Sequence, residues 1–152
     1  MMKKVSLILN VLTFTILFFS CDGKAQEKKN AENIYKAELE NETWITDKIL
    51  GLDQNIEEYN LTKFTQRKFA GNLTSFGDKM VFNSQYVAPC GNDNFTTVNG
   101  KYEFLDNEKI IISVDSVTYS GEWQKPTEYR ESKEIIFLIS KDEEIIVLTK
   151  QK

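Results

Sequence analysis

The sequence has no histidine, and only two cysteines, two prolines and seven glycines among its 152 residues. Without imidazole there is no His-dependent catalytic triad, no HExxH zinc site and no histidine pH switch. Two cysteines cannot build a zinc ribbon or a disulfide-dense scaffold. No Gly-rich phosphate loop, dinucleotide fingerprint or GxSxG elbow occurs. These absences remove the commonest catalytic, metal and nucleotide sites. What remains is 41% hydrophobic, 12% aromatic and 28% charged, ample for the packed core of one domain at this length.

The first apolar run is an address rather than a span. Met1-Met2-Lys3-Lys4 opens with positive charge, and Val5 to Phe19 is interrupted only by Ser6, Asn10, Thr13 and Thr15. A permanent membrane helix needs about 20 apolar residues, so this run reads as the h-region of a secretory signal peptide, residues 1–20. It ends on Ser20-Cys21, the layout of a bacterial lipobox in which the cysteine is acylated, with palmitate-type chains, and becomes the new N-terminus. Cys21 falls where the apolar run stops and a charged stretch begins, which favours lipidation over the competing cleavage after Ala25. Losing Lys3 and Lys4 takes the net charge from −4 to −6. An acidic domain repels phosphate backbones, so nucleic acid is excluded as a partner. The expected hold on the membrane is covalent, through the N-terminal lipid. The expected location is the bacterial cell envelope, periplasmic or surface-facing.

Residues 21–33 read as the lipidated cysteine and a polar tether, because Asp22 to Glu32 has almost nothing to bury. Residues 34–152 read as one β-rich domain. Ile34 to Leu39 suggests a short helical turn, and Trp44 to Leu50 a first strand. Ile56 to Phe69 suits either a helix or two short strands. Met80 to Val87 and Phe95 to Val98 are strand-like, and Asn99-Gly100 is the strongest short hairpin signal. Lys101 to Leu105 alternates, with Tyr102 and Phe104 on one face. After the turn Asp106-Asn107-Glu108, Ile110, Ile112 and Val114 share a side, while Val117 and Tyr119 fall out of phase. That slip predicts a β-bulge near Asp115-Ser116. Glu134 to Ser140 and Glu144 to Thr149, joined at Lys141-Asp142-Glu143, form a hairpin apolar on both faces, as in strands that sit centrally or close a barrel.

Trp44, then Phe76-Gly77-Asp78-Lys79-Met80-Val81-Phe82, then Asn99-Gly100-Lys101-Tyr102-Glu103-Phe104 give the chain an order that resembles the lipocalin-like lipoproteins of bacterial envelopes. That family carries an early Trp, a hairpin flanked by Phe, a Gly-x-Tyr strand and a closing apolar pair. Two positions depart from it: Glu42 stands where lipocalins place Gly, and Gly77-Asp78 stands where Asp-Gly is usual. The resemblance implies a mostly β fold, an antiparallel up-and-down barrel or half-barrel. It also implies a small apolar ligand inside, with Trp44, Phe82, Tyr102 and Phe104 as its contacts.

Candidate chemistry is thin. Cys90, in Ala88-Pro89-Cys90-Gly91-Asn92-Asp93-Asn94, has no base beside it to form a thiolate, and the spacing does not match a calcium loop. Glu57-Glu58 and Glu143-Glu144 read as solvated turn charges. Asp115-Ser116-Val117 resembles a short O-glycosylation sequon. The sequence therefore predicts no catalytic residue, no metal ligand and no cofactor. Two readings stand: a non-enzymatic binding module for a small apolar ligand, or an interaction or inhibitor lipoprotein. The second would cap another envelope protein through loops 88–94 and 121–130, where Trp123 lies.

Overall fold

Alternation of buried and exposed positions runs through every long strand of the computed structural model, which describes residues 33–40, 42–65, 68–89, 93–122, 125–131 and 133–152. After a single helical turn, α1 (Lys36–Leu39), come β1 (Thr43–Thr46), β2 (Glu58–Lys63), β3 (Gly71–Gly77) and β4 (Val81–Val87). Then follow β5 (Asn94–Phe104), β6 (Lys109–Gly121), β7 (Glu128–Tyr129), β8 (Glu134–Asp142) and β9 (Ile145–Lys150). All pairings among them are antiparallel.

β3, β4, β5 and β6 form a meander; β6 pairs β8, β8 pairs β9, β9 pairs β2, and β1 lies between β2 and β3. The sheet thus closes in a ring, with β7 lying along the far half of β6 beyond its pairing with β8. This order departs from a strict up-and-down arrangement at two places: β7 and β8 each pair β6 and not one another, and β2 and β3 are split. β2 and β3 follow each other in the chain yet do not pair, because β1 fills the position between them. Phe64 and Phe69, flanking that connection, meet edge to face at 5.6 Å.

The inward face of the ring is apolar. Trp44, Tyr59, Leu61, Phe76, Phe82, Ile110, Ile112, Phe137, Ile146 and Leu148 are all buried in one cluster. Among the inward positions, Thr46, Thr74 and Ser84 are buried polar groups, and their hydroxyls bond in a row across β1, β3 and β4, at 3.2 and 2.7 Å. Burying hydroxyls without partners costs about 1–3 kcal/mol each, so this row is tolerated because each member is bonded.

Both ends of the ring are stopped by chain. At the α1 end, Leu39 is fully buried and accepts at its carbonyl the Trp44 indole N–H, 3.3 Å away. At the opposite, loop end, the β1–β2 connection turns inward. Leu50 is fully buried, and its N–H donates to Ser84 Oγ at 2.9 Å. Gly51 (φ 79°) lies so close to Val114 that a methyl in its place would meet Cγ2 at 2.7 Å.

Several expectations are corrected. Asn99-Gly100 is not a turn: β5 runs straight through it to Phe104. Glycine is required there by packing, since Gly100 faces Phe82 across β4 and β5. The strand expected over Trp44 to Leu50 ends at Thr46, because the next residues dive into the ring. Asn33, assigned to the tether, is docked: its Nδ2 donates to the Asp106 carbonyl at 2.6 Å. The bulge is present where the phase slip put it. Asn99 pairs Ser116 and Gly100 pairs Val114, leaving Asp115 as the extra residue.

Candidate functional site

Of the four proposed ligand contacts, Trp44, Phe82 and Tyr102 are core side chains and Phe104 is half-buried. Phe76 links two of them. It pairs directly with Phe82 across β3 and β4, and its ring meets Tyr102 edge to face at 5.2 Å. Tyr102 in turn meets Phe104 at 5.7 Å. The Tyr102 hydroxyl lies 3.0 Å from Glu40 Oε1 and 2.9 Å from the Gly77 carbonyl, and its one proton is shared between them. Burial first, then the Glu40 carboxylate, push its pKa well above that of an ordinary phenol. Tyr59 has the same kind of environment. Its hydroxyl accepts from Gly51 N and donates to the Asp53 carbonyl, and burial raises its pKa.

The acid pairs lie apart. Glu58 opens β2 near the loop end, and Glu143-Glu144 form the β8–β9 turn at the α1 end, all three exposed. Among the described residues, no group of His, Cys, Asp and Glu is placed to hold a metal ion. Ser116 of the sequon-like triplet sits half-buried beside the bulge, paired with Asn99 and Tyr129. Cys21, Cys90 and Trp123 lie outside the described residues.

The loop end is different in kind. Of the two segments proposed as a contact surface, 88–94 and 121–130, the described ends at Asp93-Asn94 and Gly121-Glu122 lie side by side. Asn94 pairs Gly121, and Glu122 N donates to the Asp93 carbonyl at 3.2 Å. Asp93 Oδ2 accepts from the Tyr86 hydroxyl at 3.0 Å, and the Tyr86 ring stacks on Phe95 at 6.2 Å. Gly121 (φ 78°) makes the approach possible, since a methyl there would collide with the Asp93 carbonyl. On the neighbouring surface, the Tyr119 hydroxyl donates to Glu128 Oε1 at 2.6 Å, which raises the phenol's pKa. Lys125 Nζ stands 5.3 Å over the Tyr119 ring. Tyr129, 85% exposed, projects beside them.

Arg130 ties this surface to the inserted β1–β2 connection. Its Nη1 donates to the carbonyls of Gly51 and Leu52, each at 3.0 Å. The sequence put Leu50 at the end of a strand and Arg130 at the end of loop 121–130, and neither position carries a periodic pattern that would show its role. An arginine seven residues beyond Trp123 carries no signal that it will cap backbone carbonyls far away in sequence. Beside this end an open groove of about 310 Å³ is lined by Gln54, Lys133, Glu134, Ile135, Ile136 and Lys150, among others.

The chain matches no protein-family model, no curated protein and no solved structure. Among the described residues, no helix is long and apolar enough to cross a membrane.

Proposed function

We propose that this is a non-enzymatic, lipid-anchored protein of the bacterial cell envelope. It acts as an interaction or inhibitor module that caps another envelope protein through loops 88–94 and 121–130. One observation carries the reading: Asp93-Asn94 of the first loop and Gly121-Glu122 of the second are held together at one end of the ring, while the chain leading back to Cys21 leaves from the other. A tether at one end and a contact surface at the opposite end suit a protein that reaches away from its membrane. The exposed Tyr129 supplies the aromatic anchor that such contacts favour.

The alternative from the sequence, a small apolar ligand inside the ring, is less favoured by the geometry. The interior is occupied by the protein's own aromatic rings, and Leu39 and Leu50 enter it from the two ends. A ligand would have to displace packed side chains, each worth about 1.5–3 kcal/mol of burial.

The test is photo-crosslinking in living cells from a photoreactive residue at position 129, compared with the same residue at position 101 near the α1 end. A discrete adduct with an envelope protein from 129 alone is expected. Equal crosslinking from both positions, or saturable and displaceable uptake of an apolar probe, would overturn the reading. Cys21→Ser tests the anchor separately: the variant should accumulate as an unprocessed precursor.

A further inference from the structure

Six large apolar side chains stand exposed among the described residues, and five of them, Ile34, Met80, Val81, Leu105 and Ile145, lie at the α1 end. Single exposed apolar residues are ordinary on a protein surface. These five come from four separate segments: the turn before α1, the β3–β4 turn with the first residue of β4, the β5–β6 turn and the start of β9. None belongs to the buried cluster, so packing does not account for their gathering on one rim. The β3–β4 turn is also unusual in backbone. Lys79 and Met80 both take left-handed φ values, 60° and 59°, which side chains other than glycine rarely adopt. The result is a tight turn with Met80 half exposed at its tip.

The chain that leads to Cys21 departs from this same rim. Asn33 is pinned there through Asp106, and Ile34 N donates to the Asn107 carbonyl. The twelve residue-to-residue steps from Cys21 to Asn33 span at most about 40 Å at full extension. We infer that the α1 end is seated on the bilayer that holds the Cys21 acyl chains, with the apolar rim entering its headgroup layer. This inference rests on the lipid anchor proposed above. The anchor keeps the rim at high effective concentration against the lipid, so weak insertion is enough to fix orientation.

Charge selects the kind of lipid. Lys109 and Lys141 are paired with Asp106 and Glu38. Against Lys36, Lys79 and Lys101 the same rim sets Glu103, Glu108, Asp142, Glu143 and Glu144. The excess is acidic, so a zwitterionic surface fits and an anionic one repels.

The experiment uses the full-length protein, processed and purified from an envelope-bearing bacterium and placed in phosphatidylcholine vesicles that carry headgroup-depth nitroxide lipids. A fluorophore is attached through Met80→Cys or Tyr129→Cys, each in a Cys90→Ser background. Quenching several-fold stronger at 80 than at 129 is expected. It should be lost in the exposed-site variant Val81→Glu/Leu105→Glu and weakened when phosphatidylglycerol replaces part of the phosphatidylcholine. Intact mass reports the acyl chains independently. Acylated protein with equal quenching at both positions overturns the seating and leaves the anchor standing. A mature mass without acyl chains overturns the anchor and the seating together.

Discussion

Phe82 on β4 lies directly across from Gly100 on β5, so close that a methyl group on Gly100 would come within 2.5 Å of the Phe82 ring. The same methyl would collide with the Ser113 carbonyl of β6, which cannot swing aside without breaking the ladder. Gly100→Ala should therefore destabilise the protein by about 1–3 kcal/mol, the usual cost of overpacking. Gly77→Ala is the matched control. Gly77 has an ordinary extended backbone, and its nearest obstacle is the Val81 carbonyl at 3.6 Å. Urea unfolding midpoints that fall equally for both variants would refute the packing argument.

That contact also shows what the sequence could and could not reveal. Asn-Gly announces a hairpin because both turn residues favour positive φ, but glycine serves equally well where a ring must lie flat on backbone. Local sequence does not separate the two uses; the partner ring sits 18 residues earlier, on another strand. Features set by neighbouring residues were legible. The alternation of Ile110, Ile112 and Val114 and the phase change at Asp115 both follow from side chains alternating along one strand. β3 was only partly visible, since Gly71–Gly77 is mostly small and polar and its inward Thr74 reads as a surface residue. Its burial depends on Thr46 and Ser84 arriving from other strands. The candidate surface was legible only in part. Two turn-rich loops could be named, but their adjacency comes from the pairing of Asn94 with Gly121.

The aromatic cluster makes a graded prediction. Phe82 is fully buried, whereas Phe104 sits half-buried at the end of β5 with its ring edge on Tyr102. Phe82→Ala should cost about 3–5 kcal/mol and Phe104→Ala distinctly less. Glu103→Ala, exposed on the other face, should stay within about 0.5 kcal/mol. Chemical denaturation of the three variants would check the order, and a larger loss at 104 than at 82 would contradict the assigned interior.

Arg130 should hold the inserted β1–β2 connection in place. Its guanidinium donates to two carbonyls, and hydrogen bonds from a charged donor contribute about 1.5–3 kcal/mol. Arg130→Ala should speed amide exchange at Leu50 and Gly51, whose N–H groups bond Ser84 and Tyr59. Amides in the β8–β9 pair should be spared, because they lie in a different part of the ring. Uniform acceleration across the protein would mean that Arg130 supports global stability and not this segment. Arg130→Lys should restore protection in part, since both bonds come from one nitrogen and an ammonium carries enough donors to serve both carbonyls.

Tyr102 gives the fold a sensitivity to alkali, and the sign follows from where its proton is held. A free phenol ionises near about pH 10. In the folded protein, burial and then the Glu40 carboxylate oppose ionisation, so the pKa is raised. Above pH ~10 the unfolded chain loses this proton while the folded chain keeps it, so stability falls as pH rises. The contribution is complete below the unfolded pKa and disappears as pH climbs through the folded one. Tyr59 is shifted in the same direction by burial, so the two phenols act together. Tyr102→Phe removes the hydroxyl that Glu40 and Gly77 share, and at pH 7 it should be less stable than the parent by about 1 kcal/mol. From pH 9 to pH 11, however, the variant should lose less stability than the parent, and the two curves should converge. Tyr59 and Tyr119, both raised as well, must leave a residual slope, which Tyr59→Phe in the same background should reduce. Thermal unfolding followed across this range is the measurement. Parallel curves for the parent and Tyr102→Phe would show that the Tyr102 proton is not what couples the fold to alkali.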